Sequence, residues 1–104
     1  MTNVIIMQND DQIINYINIK DHANYAIEGQ DIVCAAISSI CYGILNTLEQ
    51  LNILDENYLI DKDNANIKIT FNFDEISQII AKTMMIQLQT IQESYPDYIT
   101  ITIK

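Results

Sequence analysis

Arginine is absent from this 104-residue sequence, and five lysines face 14 acidic side chains, which gives a net charge of −9. Proteins that bind nucleic acid through a basic face need clustered lysine and arginine side chains to neutralise phosphates. The composition therefore excludes nucleic acid as a partner of that kind. The same negative field attracts basic partners, although many small proteins are acidic simply because charge keeps them soluble.

Cysteine and histidine are also scarce: the sequence has Cys34, Cys41 and a single histidine, His22. The cysteines lie seven positions apart on one predicted helix, about 10 Å along its axis, whereas a disulfide needs Cα atoms within about 7 Å. An intrachain disulfide is thereby excluded. Two cysteines and one histidine without a Cys-x-x-Cys pair also make a poor zinc site, and we expect no metal or cofactor.

Long apolar runs are missing as well. No run approaches the roughly 18–20 residues that a helix needs to cross a bilayer, and the first ten residues lack the basic and apolar segments of a signal peptide. We therefore expect a cytoplasmic protein that does not enter a membrane and whose thiols stay reduced. With 49% hydrophobic residues in 104, residues 1–104 are predicted to form one folded domain.

What the sequence does contain is a series of short apolar patterns. Residues 3–8 and 12–20 are rich in isoleucine and flank a polar turn, which is typical of a β-hairpin. Residues 67–73 and 98–103 alternate between apolar and polar, which predicts half-buried strands. Residues 52–66 predict a connector with a possible short strand. The alternation puts four side chains on the buried face of the third strand pattern: Ile67, Ile69, Phe71 and Phe73.

Two helices are predicted by apolar residues at three- and four-residue spacing. One follows the N-cap Asp31 and ends near Leu51, and the other begins at Asp74 and stops before Pro96. The predicted buried stripes are Val33, Ile37, Ile40, Ile44, Leu48 and Leu51, and Ile76, Ile80, Met84, Leu88 and Ile91. The order ββα, connector with a possible strand, βαβ predicts an α+β fold, a two-layer α/β sandwich with two helices on a small, mostly antiparallel sheet.

The stretch from Asp21 to Ser38 holds the residues that can carry chemistry. His22 leaves a predicted strand, and Cys34 lies in the first turn of the helix capped by Asp31. Free N–H groups and the positive dipole at a helix start lower the pKa of a thiol and can hold an oxyanion, whereas the negative charge of Asp31 acts in the opposite direction. These are the parts of a thiol nucleophile with a histidine base. The competing interpretation is that Cys34 is a small buried side chain between apolar neighbours.

Three nearby residues have their own alternatives. Ser38, one helical turn after Cys34, either hydrogen-bonds within the site or lets the helix pack closely. Tyr25, inside the loop, either faces a substrate or is merely exposed. Cys41, two turns after Cys34, is interpreted as structural.

The segments Asp21–Ala23 and Asp31–Ser38, which read DHA and DIVCAAIS, resemble the signature of the ribosomal-processing cysteine protease (Prp) family. That signature is Gly-His-Ala followed by Asp-x-Val-Cys-Ala-Ala-x-Ser, and the similarity extends over essentially the whole chain. The resemblance implies a cysteine endopeptidase in which Cys34 is the nucleophile and His22 the base. Asp31 and Ser38 match further positions of the signature and would support the site, and no cofactor is implied.

The resemblance also implies a substrate and a partner. Family members remove the N-terminal extension of large-subunit ribosomal protein twenty-seven, cutting after a short apolar segment that contains an aromatic residue. A homodimer is implied as well. So is a mobile loop between strand and helix that closes over the peptide. The alternative is a non-catalytic ribosome-associated binding module or assembly factor of the same fold.

One position departs from the family signature, because Asp21 stands where family members have glycine. Glycine adopts positive φ freely, whereas aspartate does so less freely but more readily than most residues. We expect a stiffer loop; alternatively, Asp21 helps to orient His22.

Overall fold

The computed structural model describes residues 1–27 and 30–104, in which five strands and two helices follow one another in the predicted order. The strands are β1 (Thr2–Gln8), β2 (Ile14–Lys20), β3 (Leu59–Asp61), β4 (Asn66–Thr70) and β5 (Ile99–Ile103), and the helices are α1 (Ile32–Gln50) and α2 (Glu75–Ser94). The short strand suspected in the connector is present as β3. The expected mobile loop falls partly on residues 28 and 29, which lie outside the described residues.

The strands form one sheet in the order β3-β4-β2-β1-β5. The neighbours β3–β4, β4–β2 and β2–β1 are antiparallel, and β1–β5 is parallel. Asn9 closes the β1–β2 hairpin, because its side-chain oxygen accepts hydrogen bonds from the Asp11 and Ile13 N–H groups at 2.9 and 3.0 Å. The predicted α+β sandwich with a mostly antiparallel sheet is therefore confirmed. Its central strand β2 delivers the chain to Asp21 and His22.

Both helices pack on a shared core with most of the face that spacing predicted, and small shifts bring further residues into it. The buried residues of α1 are Val33, Ile37, Cys41, Ile44, Leu45 and Leu48, and those of α2 are Ser77, Ala81, Met84 and Leu88. Leu51, which was predicted to be buried, lies beyond the end of α1 and is exposed, and Ile76 is 59% exposed.

A tertiary hydrogen-bond cluster explains the shift at the start of α2. The Gln78 side chain accepts from the Ile14 N–H at 2.7 Å and donates to the Ile14 carbonyl at 2.9 Å and the Asn72 carbonyl at 2.8 Å. These bonds turn Gln78 toward the sheet, so the small side chains of Ser77 and Ala81 face the core and Ile76 faces outward.

The prediction that Phe73 lies on the buried face of its strand is wrong, because β4 ends at Thr70 and Phe73 is 69% exposed. The chain leaves the sheet at Asn72. The Asn72 side-chain amide donates to the Ile53 carbonyl at 3.3 Å, and the Asn72 backbone carbonyl accepts from the Gln78 side chain. Alternation in sequence therefore continues past the point where the strand stops.

Helix α1 corrects the expectation that no segment could cross a membrane. In the part of the chain that the structure describes, it alone is long and apolar enough by length and composition, with a mean hydropathy of 1.5 over 18 residues. Core helices of globular proteins meet the same criterion. In α1, Val33, Leu45 and Leu48 belong to the same buried cluster as the sheet, so core packing accounts for much of its apolar character.

Candidate active site

Asp21 turns the chain out of β2 and sets the direction of the His22 loop. Its φ of 71° lies in the left-handed region, the conformation that glycine adopts most readily. The turn is held on both sides, because the Asp21 N–H donates to the Ala65 carbonyl at 2.9 Å and the Thr2 hydroxyl donates to the Asp21 carbonyl at 3.0 Å. Aspartate therefore adopts here a conformation that glycine would adopt with less strain.

The Asp21 carboxylate bonds to β1. It accepts a hydrogen bond from the Asn3 side-chain amide at 3.1 Å. That Asp21 also helps to orient His22 stays a prediction.

Substitutions of Asp21 should separate backbone strain from side-chain bonding. We expect Asp21→Ala to lower the free energy of unfolding by about 1–2 kcal/mol, because a Cβ without a local hydrogen bond is strained at this φ. Asp21→Gly should stay within about 0.5 kcal/mol of the parent, because relief of strain offsets the greater freedom of glycine in the unfolded chain. Urea unfolding at neutral pH measures both, and equal losses for the two variants would contradict this account.

Helix α1 begins where predicted, because Asp31 is its N-cap. One carboxylate oxygen of Asp31 accepts the Cys34 N–H at 2.9 Å, and the other accepts the Tyr25 N–H at 3.0 Å. The Ala23 N–H in turn donates to Cys34 Sγ at 3.2 Å. The loop after His22 is thus joined to the start of α1 through both the cap and the thiol.

The thiol of Cys34 is not activated in the way that its helix position suggested. Burial raises its pKa, the Ala23 N–H lowers it, and the hydrogen bond and negative charge of Asp31 raise it again, so that the net pKa lies above the ordinary value. Of the two opposing effects that the sequence indicated, the one from Asp31, together with burial, outweighs the helix start. A raised pKa favours the protonated thiol, so a base that removes the proton is needed for attack.

Asp31 itself keeps its charge over a wide pH range. Burial acts to raise its pKa, but the hydrogen bonds from Cys34 and from the backbone of Tyr25 and Ala26 together lower it. The N-cap is therefore anionic at neutral pH, 2.9 Å from the Cys34 amide nitrogen. Of the first-turn N–H groups that the sequence offered to an oxyanion, the one on Cys34 is therefore already bonded to Asp31.

The structure brings the predicted site residues together in two adjoining cavities. A cavity of about 210 Å³ is lined by Asp21, His22, Cys34 and Ser38, and a second of about 550 Å³ by Asp31 with the same histidine, cysteine and serine. His22 and Ser38 are exposed and Cys34 is half-buried. No hydrogen bond joins His22 to Cys34 within residues 1–27 and 30–104, and such bonds often tighten only when substrate binds.

Sequence reasoning missed the far wall of the smaller cavity. Tyr42 and Lys62 line it together with three isoleucines, Ile19, Ile37 and Ile67. The Lys62 ammonium lies 5.9 Å from the centre of the Tyr42 ring. Tyr42 follows Cys34 by eight positions, about two helical turns, which was a usable signal, whereas nothing local to Lys62 indicated its place.

Tyr25 packs within the protein and is also partly exposed. Its ring makes edge-to-face contacts with Tyr95 and Tyr98, with ring centres 5.6 and 5.0 Å apart. Such pairs stabilise by about 0.5–1.5 kcal/mol beyond the area they bury. Tyr25 therefore anchors the loop on the segment before β5, a role that neither alternative from the sequence included.

Cys41 is structural, as predicted. It is fully buried, and burial raises its pKa to about 12, so it does not ionise at neutral pH. Both cysteines are free thiols in the structure. Across the described ranges, with residues 28 and 29 aside, no cluster of three His, Cys, Asp or Glu side chains is arranged to hold a metal ion.

Comparisons with known proteins agree with the resemblance seen in the sequence. The model of the family described as cysteine protease Prp matches residues 1–100. A Staphylococcus aureus protein named ribosomal processing cysteine protease Prp is 31% identical over 106 residues, which cover 100% of each chain. The Bacillus subtilis protein of the same name is 27% identical over 108 residues, covering 98% of this chain and 96% of the relative.

The fold agrees equally well with a solved structure. The crystal structure of the essential ribosomal processing protease Prp from S. aureus, in complex with a covalently linked product peptide, superposes with a TM-score of 0.93. It shares 29% sequence identity, and the match covers 100% of both chains. The similarity therefore includes every element that surrounds the two cavities.

Proposed function

Because the chain belongs to the cysteine protease Prp family, and is therefore a cysteine endopeptidase, we propose that it removes the N-terminal extension from the precursor of large-subunit ribosomal protein twenty-seven. The observation that carries the proposal is that His22 and Cys34 line the same two cavities. The S. aureus relative holds a covalently linked product peptide, which supports a peptide substrate.

We propose Cys34 as the nucleophile and His22 as the base. His22 takes the Cys34 proton, and the sulfur electron pair forms a bond to the scissile carbonyl carbon while the carbonyl π pair moves to oxygen. The tetrahedral intermediate collapses, the C–N bond breaks, and His22 gives its proton to the leaving nitrogen. Water, deprotonated by His22, then hydrolyses the thioester and Cys34 regains its proton. The raised pKa of Cys34 favours one of two schemes. The proton moves to His22 during attack, and no thiolate–imidazolium pair exists before substrate binds.

Asp31 and Ser38 are proposed as supporting residues. Asp31 holds the loop and the helix start together through the Tyr25 and Cys34 N–H groups. Ser38 is exposed on the walls of both cavities one turn below Cys34, so its hydroxyl is available to a bound peptide. Neither group exchanges a proton with the scissile bond in this scheme.

A basic ribosomal protein suits an enzyme with a net charge of −9. Opposite charges accelerate encounter, and salt screens that attraction over about 8–10 Å at physiological ionic strength. We therefore expect kcat/KM for the full precursor to fall as salt rises from low to high concentration, while kcat changes little. Steady-state kinetics across a salt series measure this, and a flat kcat/KM would contradict it.

The cytoplasm is proposed as the site of action. The mechanism needs Cys34 as a free thiol, and both cysteines of the chain are unpaired. Reduced thiols are the ordinary state in that compartment, where ribosomal proteins are also made.

We further propose a homodimer that forms through the outer face of α2. Ile76, Ile79 and Ile86 are each more than half exposed on this face. Between them, the hydroxyls of Thr83 and Thr90 donate to helix carbonyls at 2.8 Å, which leaves their methyl groups outward. The stripe is apolar and uncharged, so two copies of this acidic chain meet there with the least repulsion.

The dimer proposal is tested by Ile79→Glu with Gln89→Glu as a matched control. Both add one negative charge to an exposed position of α2, but only Ile79 lies on the apolar stripe. Sedimentation velocity at micromolar concentrations should show dimers for the parent and Gln89→Glu and monomers for Ile79→Glu. A monomeric parent, or a dimer that survives Ile79→Glu, would overturn the proposal.

The substrate proposal is tested with two synthetic peptides. One spans the junction between the extension and the mature ribosomal protein of the same organism, and the other has the same residues in scrambled order. Mass spectrometry should find one cut in the junction peptide, at the bond that leaves the mature N-terminus, and none in the scrambled peptide. Equal cutting of both would refute the proposed substrate, and binding without cutting would favour the non-catalytic alternative.

A further inference from the structure

The N–H of Cys34 itself, at the start of α1, is the expected anion-binding group of this active site, but the structure argues against that donor. In many cysteine nucleophiles at helix starts, free N–H groups of the first turn are available to an oxyanion. Here the Cys34 N–H donates to the Asp31 carboxylate at 2.9 Å. An oxyanion that replaced Asp31 at this N–H would lie beside a carboxylate, and like charges in one site disfavour each other.

A different N–H, from the His22 loop, reaches the reacting sulfur of Cys34. The backbone N–H of Ala23 donates to Cys34 Sγ at 3.2 Å. Ala23 is fully buried, so this donor is largely shielded from water. Donors in such places act more strongly on a negative charge than donors in water.

The Ala23 N–H is held in place by bonds on both sides of it. Upstream, Asp21 is fixed by its bonds to Ala65 and Thr2. Downstream, Asn24 has a φ of 57°, and the next N–H, from Tyr25, donates to Asp31 at 3.0 Å. The donor therefore needs little reorganisation when charge appears on the thiol, which is the condition for effective electrostatic catalysis.

We propose that the backbone N–H of Ala23 is the anion-binding donor of the active site, stabilising first the Cys34 thiolate and then the oxyanion of the tetrahedral intermediate. When the sulfur electron pair becomes the S–C bond, the negative charge moves from sulfur to the adjacent carbonyl oxygen. Sulfur and this oxygen are bonded to the same carbon and are therefore close together. The same N–H can then bond the oxygen with little movement. On collapse the charge returns to form the C=O bond, and the proton from His22 leaves with the amine.

This inference rests on the proposed roles of Cys34 and His22, and it gives the His22 loop two functions. The His22 loop contributes a base through its side chain and an anion donor through its next backbone amide. Both parts follow the turn at Asp21, whose described hydrogen bonds go to Thr2, Asn3 and Ala65.

A single atom can be changed to test the proposal. Replacing Ala23 with lactic acid converts the amide to an ester and removes only the N–H. Residues 1–40 can be made as a synthetic thioester and joined to residues 41–104 at the native Cys41. The control places lactic acid at Ala36 in the same fragment, where the lost N–H belongs to the interior of α1.

Two readouts decide the outcome. The pH dependence of iodoacetamide alkylation should show a higher Cys34 pKa in the Ala23 ester than in the Ala36 ester. Cleavage of the junction peptide should show kcat about 10²-fold lower with KM little changed. An unchanged thiol titration, or a loss confined to KM, overturns the proposal. Because the titration needs no substrate, it decides the matter even if the proposed ribosomal substrate is wrong.

Discussion

Replacing Cys34 with alanine is expected to lower kcat/KM for the junction peptide by about 10⁴-fold or more, because the other thiol that lines the smaller cavity, Cys41, is fully buried and its pKa is about 12. Cys34 is half-buried at the first turn of α1, so alanine fits there without a steric clash. The fold should therefore survive, with the far-UV circular dichroism of the parent.

Cys41→Ala is the matched control for that loss. Cys41 is fully buried and its pKa is about 12, so it cannot act as a thiolate at neutral pH. The change should cost about 1 kcal/mol of stability through a small cavity and leave kcat/KM within about threefold of the parent. If Cys41→Ala abolished cleavage while Cys34→Ala retained it, the nucleophile would have been assigned to the wrong cysteine.

His22→Ala should resemble Cys34→Ala in rate but not in thiol chemistry. Without its base, the Cys34 proton has no nearby acceptor, so cleavage at neutral pH should fall by about 10²–10⁴-fold. Raising the pH toward the pKa of Cys34 should restore part of the rate, because hydroxide then removes the proton. A variant with full activity at neutral pH would exclude His22 as the base.

Asp31→Asn is expected to make Cys34 more reactive and the enzyme less active. The negative charge and hydrogen bond of Asp31 both raise the Cys34 pKa, so removing the charge should lower that pKa and speed alkylation by iodoacetamide at neutral pH. Asparagine still caps α1 through one oxygen, but its NH₂ group faces the Tyr25 N–H and cannot accept it. The loop that carries His22 then loses one of its two links to the helix, the bond from the Tyr25 N–H, and cleavage should fall by about 10–100-fold.

Asp74→Asn provides the control for Asp31→Asn. Asp74 caps α2 in the same way, with its carboxylate accepting the Ser77 N–H at 3.0 Å, and it does not line either cavity. It therefore reproduces the loss of charge and the change of cap without touching the site. If alkylation and cleavage respond equally in the two variants, a general effect of net charge would replace the local one.

The pH dependence of folding follows from the two helix caps, Asp31 and Asp74, and from Asp61, which accepts hydrogen bonds from Asn64. The pKa values of Asp31, Asp61 and Asp74 are all lowered in the folded protein, chiefly by hydrogen bonds from nearby N–H groups that outweigh the effect of burial. A carboxyl whose folded pKa is depressed contributes stability above its unfolded pKa, which is about 3.9 for aspartate, and this contribution disappears as the pH falls through the folded pKa. Stability is therefore lost on acidification below about pH 4.

The parts of the site that the sequence could predict are those set by local spacing. Asp31 lies three positions before Cys34, and this spacing alone led to the cap that the structure contains. The same local logic placed Ser38 one turn further along the cavity wall. The order of strands and helices was equally accessible, because each pattern lies within one continuous segment.

The parts that could not be predicted depend on groups distant in sequence. Gln78 bonds Ile14 across 64 positions at the start of α2, where Ser77 is buried and Ile76 of the predicted stripe is exposed. The raised pKa of Cys34 follows from burial and a carboxylate, quantities that become known only once the loop packs against the helix. The Ala23 N–H is a backbone group that any residue except proline would supply, so no side-chain pattern could reveal it.

The central claim is that this chain uses Cys34 to cut the extension from its ribosomal substrate, and one measurement tests it directly. The precursor is co-expressed with the parent enzyme or with Cys34→Ala, purified, and weighed by intact-protein mass spectrometry. The account predicts a precursor shortened by its N-terminal extension with the parent and one of full length with Cys34→Ala. Full-length precursor with both, or the same shortened product with both, would contradict it.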